Sequence, residues 1–100
     1  MLAYSPTPYC AAQHSSTNEA TSTSTAAVWP TTPFTVPTVV RVVTTSAAAL
    51  SVAVGTPAPA VATDLALVAN LPEYILLPAG SKIGVLAASA AGTVCFTPLT

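Results

Sequence analysis

Charge is what this chain has least of. Only five of its hundred residues are fully charged, namely Glu19, Arg41, Asp64, Glu73 and Lys82, where roughly a quarter is usual in a soluble domain. One Arg and one Lys cannot neutralise a run of phosphates, which excludes a nucleic-acid binder. The same shortage excludes electrostatic attachment to a membrane surface. Histidine is equally scarce. His14 is the sole one, and it lies in a Ser/Thr-rich stretch with no rigid frame to preorganise a general base, so no enzyme is expected. Cys10 and Cys95 lie far apart without CxxC spacing. With His14 they supply too few ligands for a metal site, and they read as small apolar residues. Gly80 and Gly92 stand in turns, outside any phosphate-binding pattern such as GxxxxGK[ST]. No cofactor or metal is expected. Long hydrophobic runs are missing too. Residues 42–63 form the longest uncharged stretch, but Gly55, Pro57, Pro59 and much Ala interrupt it. A spanning helix needs a run rich in Leu, Ile and Phe, so no membrane partner is expected. The opening Met1-Leu2-Ala3-Tyr4-Ser5-Pro6 has neither a positive start nor an apolar run, so no secretory signal is expected. The chain is expected to stay in the cytoplasm until it joins an assembly.

What the chain does contain is Ala, Val, Thr, Ser and Pro in abundance. A free monomer relies on surface charge to stay soluble and unassociated. A surface with almost none is expected to be covered by partner subunits, by further copies of the chain, or by both. A hundred residues make one domain with one modest core.

Two blocks divide the chain. Residues 1–33 are dominated by Ser, Thr, Ala and Pro and cannot bury enough apolar area to offset their ordering entropy alone. A plain disordered tail and an arm ordered on a neighbour both fit. The arm is preferred, because aromatics are embedded in the block, its prolines favour extended backbone, and its Thr-rich run suits addition to a sheet edge. Tyr4, Tyr9, Trp29 and Phe34 are the candidate partner-binding residues, since interface hot spots favour aromatics. Trp29 and Phe34 fit equally well as side chains packed over one end of the domain.

From residue 34 onward short apolar segments alternate with turn signals. Val39 to Thr45 is almost wholly β-branched, a strong strand signal. Leu50 to Val54 and Asp64 to Val68 alternate large with small or polar residues. Tyr74 to Leu77, Lys82 to Ala87 and Thr93 to Thr97 complete the strands, and Pro78-Ala79-Gly80-Ser81 fits a turn with positive φ at Gly80. Strands recurring every eight to twelve residues argue for an antiparallel sandwich or small barrel; the expected fold is all-β, a small antiparallel β-sandwich over residues 34–100, jelly-roll-like, with an extended N-terminal arm. The predicted core is Val40, Val42, Leu50, Val52, Val54, Leu65, Leu67, Ile75, Leu77, Ile83, Val85, Val94 and Phe96.

Several motifs lie in order: Val52-Ala53-Val54-Gly55-Thr56-Pro57, then Asn70-Leu71-Pro72-Glu73-Tyr74 with Leu77-Pro78-Ala79-Gly80-Ser81-Lys82, then Ala90-Ala91-Gly92-Thr93-Val94. About sixty residues of the chain thereby resemble the small β-sandwich virion proteins of tailed bacteriophages. The resemblance implies a capsid decoration or cement protein, with the major capsid protein and other virion subunits as partners. It also implies a homo-oligomeric state and a place in the virion after assembly in the host cytoplasm. Two alternatives are kept: a head–tail connector or tail component, and a carbohydrate-binding host-attachment module.

Overall fold

The computed structural model describes residues 16–55 and 65–99. All their regular structure is strand: β1 Thr17–Thr21, β2 Ala27–Trp29, β3 Thr38–Thr44, β4 Ala48–Val54, β5 Leu65–Leu67, β6 Glu73–Leu77, β7 Ser81–Ala87 and β8 Gly92–Leu99. Two four-stranded sheets result. Sheet A has the order β1-β8-β3-β6 and sheet B the order β2-β7-β4-β5. Every ladder is antiparallel. The first strand pairs with the last, the second with the seventh, the third with the sixth and the fourth with the fifth. The chain is thus a long hairpin rolled so that alternate pairs fall in opposite sheets, and only the β4–β5 connection stays within one sheet.

Local chemistry accounts for the strands. Six of the seven residues of β3 are β-branched, and such side chains fit a pleated, half-buried surface. Its burial alternates, with Val40 and Val42 fully inside. β8 does the same with Val94 and Phe96, and β7 with Ile83 and Val85. These side chains meet Leu50, Leu67 and Leu77 between the sheets. The turn at residues 78–81 forms as the sequence predicts: Gly80 has φ 78° and the Ser81 amide donates to the Pro78 carbonyl at 3.1 Å. It carries the chain from sheet A to sheet B, and the Gly80 amide donates to the Phe34 carbonyl.

The N-terminal block departs from expectation. The boundary after Pro33 falls inside the sandwich, because β1 is an edge strand of sheet A and β2 an edge strand of sheet B. Trp29 is only 7% exposed. Its ring lies parallel to Phe96 at 4.9 Å and edge-on to Phe34 at 5.6 Å. The Thr-rich run does add to a sheet edge, but to its own β8. Thr21 Oγ1 accepts from the Gly92 amide at 2.8 Å, and Ser16 Oγ shares a hydrogen bond with Thr97 Oγ1 at 2.7 Å. What is left of the arm, residues 1–15, lies outside the described residues.

Three predicted core positions face solvent. Val52, Val54 and Leu65 are exposed, Val54 by 81%. β5 covers β4 only from Ala48 to Leu50, so Val52 and Val54 lie beyond its end with a strand on one side only. Leu65 is the last β5 residue paired with β4.

Gly92 is constrained by contact. A Cβ there would come within 2.5 Å of Thr45 Oγ1 and 2.6 Å of Ser46 Oγ. Neither hydroxyl is free to move, since Thr45 Oγ1 accepts from the Thr93 amide and Ser46 Oγ donates to the Ala90 carbonyl. Gly92→Ala is predicted to cost about 1–3 kcal/mol through crowding and a lost hydrogen bond. Trp29→Ala is predicted to cost about 3–5 kcal/mol by opening a cavity. Urea unfolding monitored by far-UV circular dichroism measures both, and a neutral Gly92→Ala would contradict the packing at that turn.

Candidate interaction surface

The described residues hold no cluster of three or more His, Cys, Asp or Glu able to bind a metal. No helix among them is long and apolar enough to cross a membrane. Attention therefore turns to the outward faces of the sheets.

On sheet A, strand alternation sends every residue that flanks a core residue outward. Cross-strand register then builds rows. Val39 lies between Leu76 on β6 and Leu99 on β8. The next row is Tyr74, Arg41 and Thr97, with Arg41 in the middle. Beyond it come Val43, Cys95 and Asn18. Leu76 is 65% exposed, Tyr74 57% and Val39 39%. Val39, Val43, Leu76 and Tyr74 thus border a single cation on one side, while its other cross-strand neighbour, Thr97, is buried and bonded to Ser16; neither cross-strand neighbour is an acid. Tyr and Arg beside apolar side chains is the composition typical of interface hot spots.

Sheet B presents a different outer face. Ala49 lies between Leu86 and Ala66, Ser51 beside Gly84, and Ala53 beside Lys82. Short side chains make it flat, with Lys82 as its one charge. Glu19 and Glu73 lie on the inner side of sheet A, in register with Val94 and Val42, on the two edge strands. Both are half-buried.

Of the four aromatic candidates, the fold brings Trp29 and Phe34 together edge-on. Tyr4 and Tyr9 lie outside the described residues. Trp29 sits in the core, and Phe34 packs against that core half-buried. Of the two roles open to Trp29 and Phe34, the fold takes packing within the domain. The outward residues Val39, Tyr74 and Leu76 were not singled out in the sequence. A signal was present: Tyr74-Ile75-Leu76-Leu77 is apolar throughout, which is more than a strand with one solvent face requires.

The chain matches no protein-family model, no curated protein and no solved structure. The likeness to phage virion proteins therefore rests on the turn and strand motifs alone.

Two measurements check this placement. Leu77→Ala, at a fully buried position, is predicted to cost about 2–5 kcal/mol, whereas Leu76→Ala next to it stays within about 0.5 kcal/mol. Equal losses in a denaturant titration would contradict the assigned faces. The sole Trp is predicted to resist acrylamide quenching in the folded chain and to be quenched freely in urea.

Proposed function

We propose that this chain is a bacteriophage virion structural protein of the decoration or cement type, which binds the major capsid shell and stabilises it. The observation that carries this reading is the outer face of sheet A. Exposed Leu76, Tyr74 and Val39 lie beside Arg41 on a chain with only five charges. Such a face associates at little cost in desolvated ions, and many weak apolar contacts repeated over a shell sum to a large energy. The action is mechanical and needs no catalytic group.

The jelly-roll form of the sandwich is part of the same proposal. Its support is the pairing of first strand with last, second with seventh, third with sixth and fourth with fifth. That winding is the double Greek key, which recurs in capsid and lectin domains. A shared fold does not carry a function by itself, so weight stays on the exposed face. Residues 1–15, with Tyr4 and Tyr9, are proposed as the stapling arm between shell subunits.

The test uses particles carrying the full-length chain. Val39→Lys is predicted to lower the copies retained per particle by at least tenfold without altering the circular dichroism of the purified chain. Deleting residues 1–15 is predicted to reduce both retention and the temperature at which particles release their genome. Undiminished retention and heat resistance in both variants would refute the proposal.

A further inference from the structure

We propose that β6 is the edge through which two copies of this chain pair antiparallel, joining their A sheets into one continuous sheet. This deepens the oligomeric part of the reading above and rests on it only for the expectation of self-association.

Four strands form the sheet edges: β1 and β6 in sheet A, β2 and β5 in sheet B. Edge strands leave one row of backbone N–H and C=O groups without a ladder partner. Folds protect such rows by shortness, by inward charges or by proline. β2 and β5 are three residues long. β1 is polar, and Glu19 stands at its centre on the inner side. β6 has five residues, and after Glu73 at its start the run is Tyr-Ile-Leu-Leu. Its strand neighbour is β3, and among the described residues the other flank is the least protected sheet edge. Such a flank is chemically suited to one kind of occupant, an extended backbone with apolar side chains.

The self-complementary order Tyr74-Ile75-Leu76 points to a second β6 as the occupant, and charge favours copies that meet edge to edge. Stacking two A sheets face to face would put them about 10 Å apart with Arg41 near the middle of each face, bringing like charges together. Antiparallel pairing about Ile75 avoids this. It sets Tyr74 opposite Leu76 of the second copy, so that each exposed apolar side chain meets another, a favourable cross-strand pair. The two Arg41 positions are then separated by three strand spacings and two residues along the strand, roughly 16 Å. The two Glu73 stand at opposite ends of the pair, roughly 13 Å apart along the strand. Both separations exceed the screening length of about 8 Å at physiological salt. Pairing about Ile75 also keeps alternation intact, because inward residues face inward on both copies. The contact is two-fold and self-limiting, since each copy uses up its own β6 edge.

Sedimentation equilibrium of the full chain under reducing conditions tests the pairing. A dimer is expected at tens of micromolar, and Tyr74→Lys with Leu76→Lys weakens it at least tenfold while circular dichroism and Trp29 fluorescence stay unchanged. A second measurement is independent of that variant. In chains with Cys10→Ser and Cys95→Ser, mixing Tyr74→Cys with Leu76→Cys is expected to give an inter-chain disulfide about tenfold faster than either variant alone. A chain that is monomeric at every concentration, a dimer indifferent to the two lysines, or no preference for the mixed cross-link would each overturn the pairing. The two proposals fail separately. Shell retention by a strictly monomeric chain removes the pairing and leaves the virion reading, while a dimer with the mixed cross-link that binds no shell does the reverse.

Discussion

Phe96 holds the two sheets to each other. It belongs to β8 in sheet A, and its ring lies flat on Trp29 from β2 in sheet B at 4.9 Å. Neither aromatic has an equal elsewhere in a core otherwise built of Val, Leu, Ile and Ala. Aromatic pairs of this kind add about 0.5–1.5 kcal/mol beyond the area they bury. In a domain this small that is a sizeable part of a net stability of only a few kcal/mol. The stack also decides where the domain begins. Because Trp29 supplies half of it, β2 cannot be a detachable tail. β1 lies along the same β8 that carries Phe96.

The rolled topology explains why contacts remote in sequence dominate. Each connection except β4–β5 crosses between the sheets, so neighbours within a sheet are mostly far apart along the chain. Small connector residues serve these crossings. Gly80 supplies positive φ at one, and Asn70 does so at another with φ 63°, where its amide donates to the Thr44 carbonyl at 2.7 Å. Asn tolerates the left-handed region better than other non-glycine residues.

Scarcity of charge acts in two places. Within the sandwich it keeps the cost of burying ions low, and the buried polar side chains are mostly Thr: Thr21 and Thr38 bond nearby backbone, Thr97 bonds the Ser16 hydroxyl, and Thr44 Oγ1 has no hydrogen-bond partner among the described residues. On the outside it leaves sheet A with apolar rows and one guanidinium. A surface of that kind favours association over solvation. The function proposed for the chain and the pairing proposed for β6 both draw on this imbalance, one through the face and the other through the edge.

Much of the fold was legible before any coordinates. The six strands from β3 to β8 follow from β-branched runs, alternation and turn residues, and Arg41, which shares one side of its strand with Val39 and Val43, marks Val40 and Val42 as the inward pair. Those signals are local: propensity and period depend on a residue and its chain neighbours. β1 was legible only as a Thr-rich run suited to some sheet edge, and β2 was not legible as a strand. An edge strand buries little, Thr17–Thr21 carries no large apolar side chain, and three residues of β2 are too few to show a period. Their strand state comes from ladder partners more than fifty positions away, Gly84 and Cys95 among them. For the same reason the sequence could not say that Val52 and Val54 lie past the end of β5, or that Trp29 faces Phe96 instead of a partner. The amino-acid order by itself determined an all-β chain with only five charges. Only the tertiary structure decided which apolar residues are inside, because burial depends on what lies across the sheet, and the chain's own neighbours do not carry that information.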